Sequence, residues 1–203
     1  MKRMHNSLKY SVFIGCIALL SACQISEQQV TEITEPEFTK PSPLSLHEYC
    51  AANSCRGDID VLVATMHGEV RLQNSKFWPV VYQNEIIVLP GERLFIEAEL
   101  DSDNNILSLR HVEHNQHPER TFELYFRQLR GNYGMQFSLR NPFEIPVKFD
   151  IALSDVAGTQ TSVGSCPVRA KRSYLERWAQ PATELRLSNP RTLAANADII
   201  CSS

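Results

Sequence analysis

The chain has 203 residues, 43% of them hydrophobic, with 20 Lys+Arg against 23 Asp+Glu and only 8 Gly. That length holds one sizeable domain with a real core, or two small ones. The slightly acidic balance excludes the basic footprint of a nucleic-acid-binding protein or a polybasic membrane patch, and so few glycines leave little material for phosphate-cradling loops.

At the N-terminus, Lys2, Arg3 and Lys9 form a positive segment, and Ser11 to Leu20 follows as an apolar run. A bilayer span needs about 20 apolar residues, so this run reads as the core of a secretion signal rather than a transmembrane helix. Small residues Ser21 and Ala22 then precede Cys23. Leu20-Ser21-Ala22-Cys23 resembles the lipobox of bacterial lipoprotein precursors, a likeness confined to the first 25 or so residues. The resemblance implies that residues 1–22 are a signal peptide, that Cys23 is diacylated on sulfur (the palmitate class of modification), and that cleavage makes it an N-acylated N-terminus. Two or three acyl chains anchor stably where one holds only marginally, each buried CH₂ contributing about 0.8 kcal/mol. Gln24 stands where an Asp would signal inner-membrane retention, which favours the outer membrane, facing the periplasm. The expected partners are the membrane, through the lipid at Cys23, and an envelope protein, with no nucleic acid. The competing reading is an ordinary cleaved signal with a chance cysteine.

Residues 23–46 carry Glu27, Glu32, Glu35 and Glu37 with Pro36, Pro41 and Pro43, and few large apolar side chains. Such a composition buries too little surface to order itself and reads as a flexible tether. Residues 47–203 are then the folded domain. Without residues 1–22 the chain keeps 17 bases against 23 acids, a net charge of −6.

Of six cysteines, Cys16 leaves with the signal and Cys23 takes the lipid, so Cys50, Cys55, Cys166 and Cys201 remain. An even number in an oxidising compartment reads as disulfides. Three connectivities are open; the short loop favours Cys50–Cys55, leaving Cys166–Cys201 to fasten the C-terminal tail. Loop-closure entropy gives about 2 kcal/mol for the first bridge and about 4 for the second. A zinc site would want paired short spacings, and a redox pair would want Cys-x-x-Cys.

From Asp58 onward the apolar period is two, the pattern of half-buried antiparallel strands. Expected strands, in chain order, are Asp58–Thr65, Glu69–Leu72, Val80–Asn84, Glu85–Leu89, Leu94–Leu100, Thr121–Gln128, Met135–Arg140, Val147–Ser154 and Thr183–Leu187. Phe122, Phe126, Phe137, Phe149 and Ile151 should point inward, and Glu123, Arg127, Arg140 and Lys148 outward. Pro90-Gly91, Asp103-Asn104-Asn105 and Gly131-Asn132-Tyr133-Gly134 supply turns, and Asn141-Pro142 and Ile145-Pro146 separate strands. Ser173–Trp178 invites a helical turn. These features predict an all-β fold, a two-sheet antiparallel β-sandwich that resembles immunoglobulin-like sandwiches in outline, with a barrel as the alternative. The cysteines and Trp78 do not match the spacing of that family, so the likeness assigns no functional residue.

Candidate chemistry is sparse. On one extended strand His111 and His117 would lie about 20 Å apart, but a turn at Asn115–Pro118 would let His114 and His117 converge on a metal ion. Asp101-Ser102-Asp103-Asn104-Asn105 begins like a calcium loop, yet Ile106 and Val112 stand where that loop needs Gly and Glu. Arg56-Gly57-Asp58 spells an adhesion tripeptide recognised by integrins. Gly164-Ser165-Cys166-Pro167 approaches a nucleophile elbow but lacks its second glycine, and His67 would need Asp58 or Asp60 and a serine brought to it. Trp78, Trp178 and Tyr174 are either core residues or an aromatic rim for a partner. The expectation is a non-catalytic interaction or structural module, with no catalytic residue, cofactor or resident metal. The alternatives are a metal-binding lipoprotein using His114 and His117, and a periplasmic enzyme with dispersed catalytic residues.

Overall fold

The computed structural model describes residues 45–74, 78–131, 133–197 and 199–202. The lipobox, the signal segment and the tether up to residue 44 lie outside these described residues.

The first element is a short helix, α1 (Leu46–Ala52). Ser45 caps it: its Oγ accepts from the Glu48 amide while Glu48 accepts from the Ser45 amide at 2.9 Å. This reciprocal pair satisfies two backbone donors that a helix start leaves open. Leu46, the last residue read as tether, therefore already begins the helix.

Fourteen strands follow among the described residues: β1 (Cys55–Arg56), β2 (Ile59–Thr65), β3 (Gly68–Asn74), β4 (Trp78–Pro79), β5 (Val81–Tyr82), β6 (Glu85–Val88) and β7 (Arg93–Leu100). Then come β8 (Ile106–Val112), β9 (Thr121–Gln128), β10 (Met135–Arg140), β11 (Val147–Ser154), β12 (Gln160–Val163), β13 (Ser173–Trp178) and β14 (Glu184–Thr192). Two five-stranded antiparallel sheets form, in the orders β13-β10-β9-β7-β8 and β12-β11-β14-β6-β5. They pack face to face as a sandwich and do not close into a barrel.

The inner faces interdigitate because every second residue is large and apolar. Phe122, Phe126 and Phe137 are fully buried, and Phe149 and Ile151 nearly so. Phe122 of one sheet meets Phe149 of the other edge-on at 5.5 Å between ring centres, and Phe143 at 5.4 Å. Such edge-to-face contacts add to the burial that dominates the sandwich. Arg127 and Arg140 lie exposed on the outer face, with Glu123 half-buried beside them and Lys148 half-buried on the opposite sheet. Glu97, on a face the alternation marks as polar, is buried nonetheless. Arg110 donates to it at 2.5 Å and Arg120 stands 3.8 Å away.

Turns follow their residue chemistry. Gln83 and Asn84 take positive φ between β5 and β6, as the tight hairpin requires. Pro90-Gly91 turns with Gly91 at φ 94°. Within β14, Asn189 at φ 50° precedes Pro190 where the pairing with β11 shifts between Lys148 and Asp150. That bulge is where a proline without an amide donor is tolerated in an inner strand.

Ser173–Trp178 is not helical; it is β13, paired with β10 from Arg140↔Ser173 to Met135↔Trp178. Leu175, Glu176 and Arg177 are good helix formers, but Tyr174, Glu176 and Trp178 alternate toward the core while Ser173, Leu175 and Arg177 are exposed. Pairing with the edge of β10 satisfies the backbone and buries the aromatics, and this outweighs local propensity. Strands β1, β4, β8 and β12 are additional to those expected, and β14 runs five residues beyond Leu187.

Both cysteine pairs are bonded as the short loop suggests: Cys50–Cys55 with Cα atoms 5.5 Å apart, and Cys166–Cys201 at 4.1 Å.

Candidate functional site

The β2–β3 hairpin sits outside the two sheets. Its inward residues Val61 and Val63 bury against Leu89, with Ile59, Leu72 and Val156 packed around them, as a small second core. The Gln128 side chain, at the end of β9, ties it down by accepting from the Ala64 amide at 2.9 Å and donating to the Ala64 carbonyl at 2.8 Å. One amide side chain thus imitates a rung of a β-ladder.

Between this hairpin and the outer face of the β14 sheet lies a cleft of about 480 Å³. Ile59, Leu72, Trp78 and Leu89 give it an apolar lining, and Gln73, Gln160, Ser154 and Thr183 bring neutral hydrogen-bonding groups. Glu184 and Arg186, two residues apart on β14, share one face and meet within the cleft at 2.6 Å. Glu85 pairs with the other side of the guanidinium at 3.3 Å. Burial works against the Arg186 charge, but Glu184 and Glu85 outweigh it and hold the pKa above its ordinary value. The Trp78 Nε1 atom is buried and meets no hydrogen-bond acceptor. A concave, mostly apolar lining with a few convergent polar groups is the ordinary make-up of a binding cleft. Within it the Ser154 hydroxyl also donates to Glu184 Oε1, at 3.4 Å.

Most sequence-level candidates serve the fold. Arg56 is almost buried: its guanidinium pairs with Glu92, with Nη2 to Oε2 at 2.6 Å, and donates to the Pro79 and Ile87 carbonyls. Its charged end is committed to holding the N-terminal segment on the sandwich, so Arg56-Gly57-Asp58 is not a presented adhesion loop. Asp101 Oδ1 accepts from the amides of Asp103 and Asn105 at 2.8 Å, and its Oδ2 accepts from the Asn105 side chain. The hydrogen bonds from Asn105 hold its carboxyl below the usual range. The calcium-like string is therefore a self-closed hairpin turn, and Asp155 closes another through the amides of Ala157 and Thr159.

Ser165 is buried and meets Ser202, Oγ to Oγ at 3.2 Å, beside the Cys166–Cys201 bridge. His111 faces Ser54 Oγ at 3.1 Å and is drawn below its ordinary pKa by burial and then by the Arg56 charge. His117 lies 3.6 Å from Glu119, and His114 is exposed. Among the described residues, no group of three or more His, Cys, Asp or Glu side chains is gathered as a metal would require. His67 sits in the exposed turn between β2 and β3, while Asp60 is paired with Arg71 at 2.7 Å.

The aromatic candidates divide. Tyr174 and Trp178 pack on the main core, Tyr174 against Phe137 at 6.4 Å with its hydroxyl donating to Glu176. Burial and that carboxylate push the Tyr174 pKa well up. Trp78 alone of the three lines the cleft. Sequence reasoning missed Glu184, Arg186, Gln73 and Gln160, because nothing local marks residues that only sheet pairing brings beside the hairpin.

The chain matches no protein-family model, no curated protein and no solved structure.

Proposed function

We propose that this protein is a lipid-anchored envelope module that binds a partner protein without catalysing a reaction, and that the cleft beside the β2–β3 hairpin is its contact. The observation that carries the reading is the lining of that cleft: a Trp78-centred apolar wall beside the Glu184–Arg186 pair. Such a surface suits a polypeptide segment that inserts one apolar side chain and sets a polar group against the charges. The lipobox resemblance at Leu20–Cys23 supports attachment to the bacterial outer membrane through Cys23, on the periplasmic side.

Two experiments test the halves separately. Cys23→Ser should abolish labelling by radioactive palmitate and leave an unprocessed precursor; undiminished labelling refutes the anchor. Photo-crosslinkers at Gln73 and Gln160 should capture one and the same envelope protein in cells. The purified pair should then bind, and Trp78→Ala should weaken that binding at least tenfold while the melting curve keeps its cooperative form. Binding indifferent to Trp78 refutes the cleft. A folded, correctly localised single variant of His67, His114, His117 or Ser165 that abolishes the cellular phenotype would move the reading to an enzyme or metal carrier.

A further inference from the structure

The opposite side of the molecule carries a second concavity. On the outer face of β9, β10 and β13 the pairing register lays side chains in rows: Arg93, Tyr125, Ser138 and Leu175 in one, and Glu123, Arg140 and Ser173 in the next. Serine is short, so Ser138 and Ser173 form a floor among long neighbours. The result is a depression of about 540 Å³ walled by Arg93, Tyr125, Glu123 and Arg140.

The charge of this face is opposite to that of the whole chain. Strands β9, β10 and β13 turn Arg127, Arg140 and Arg177 outward against Glu123 alone, and Glu123 is already engaged by Arg93. Arg127 lies over the Tyr125 ring at 5.5 Å. Among the described residues, the Arg140 guanidinium and the hydroxyls of Ser138, Ser173 and Tyr125 have no hydrogen-bond partner. One unpaired guanidinium, three unpaired hydroxyls and one carboxylate thus meet in a single depression.

We propose that this depression binds an acidic saccharide, with its carboxylate on Arg140. A guanidinium matches a carboxylate with two parallel hydrogen bonds. The three hydroxyls both donate and accept, as ring hydroxyls demand, and Glu123 accepts from a further one. Leu139, the one aliphatic residue in the lining, is 2% exposed, too little to seat an apolar peptide side chain. The site is independent of the cleft and of the anchor.

The test uses the full chain in nanodiscs of neutral lipid, with calorimetric titration of trigalacturonate and, as the neutral control, maltotriose. Trigalacturonate should bind saturably and more weakly as salt rises, and maltotriose should not bind. Arg140→Gln should weaken trigalacturonate at least tenfold, and the Ser138→Ala/Ser173→Ala pair several-fold. Arg71→Gln, on the hairpin, should leave binding unchanged. Equal binding of the two sugars, or full retention in Arg140→Gln, overturns the proposal. If Arg140→Gln does not fold, the serine pair decides by the same criterion. Arg140-dependent attachment to phosphatidylglycerol vesicles, with no saccharide binding, would overturn it in favour of membrane docking.

Discussion

At the scale of single residues, the polar side chains that matter most are those the fold has enclosed. Asn141 is fully buried between β10 and β11; its Nδ2 donates to the carbonyls of Ile145, Val168 and Arg169, and its Oδ1 accepts from the Phe143 amide. Asn141→Ala strands several buried backbone groups at once and should cost about 3 kcal/mol or more, read from urea denaturation. Arg56→Ala leaves Glu92 half-buried without its cation and should cost about 3 kcal/mol by the same measurement. A loss below a few tenths would show that Arg56 is solvated after all.

His111 links one residue to pH. Burial and the Arg56 charge keep its folded pKa below the ordinary 6.5, against smaller opposing effects of Glu92 and Glu113. As pH falls through that ordinary value the unfolded chain takes up a proton that the folded chain refuses. Stability should therefore decline from pH 6.5 downward and level off below the folded pKa. Denaturation midpoints between pH 7.5 and 5 should show this slope in the parent and a flatter one in His111→Gln. Parallel profiles would remove His111 from the account.

At the scale of elements, the β2–β3 hairpin stands apart from the two large sheets. It pairs with no strand of the two large sheets and is held by a small apolar cluster and the Gln128 amide. Gln128→Ala should speed hydrogen exchange across residues 59–72 while the sandwich strands keep their protection, because local opening draws on local contacts. Uniform acceleration everywhere would mean that the hairpin is part of the same cooperative unit. Since the hairpin is one wall of the cleft, its opening would also loosen the proposed contact. β13 teaches a different lesson about elements. Its six residues contain a helix-favouring triplet, yet the edge of β10 offers backbone partners and a place for Tyr174 and Trp178, and the segment extends.

At the scale of the whole molecule, the sandwich rests on one continuous core running through both sheets, with disulfides near each end of the described chain. Phe122→Ala removes a ring that touches both Phe143 and Phe149 and should cost about 3–5 kcal/mol, measured by urea denaturation. The described domain should show no free thiol before reduction and four after it, by thiol titration under denaturing conditions.

Much of this architecture is written in order along the chain, because strand alternation, turn residues and a capping box are local properties. The inward row Phe122, Leu124, Phe126 and the partner row Met135, Phe137, Leu139 can be read from period two alone, since any half-buried sheet demands it. Ser45 and Glu48 have the spacing of a capping box, a local signal that the tether reading of residues 23–46 passed over. What the tertiary structure alone decided is which distant side chains share a space. Glu184 and Arg186 meet Trp78 and the β2–β3 hairpin, and Ser138 and Ser173 open a hollow between Arg93 and Arg140. The same holds for Arg56, which local sequence presents as part of an exposed tripeptide and the fold buries against Glu92. Alternation tells which face a side chain takes; only strand order and register, set by the packing of the whole core, determine what stands opposite it.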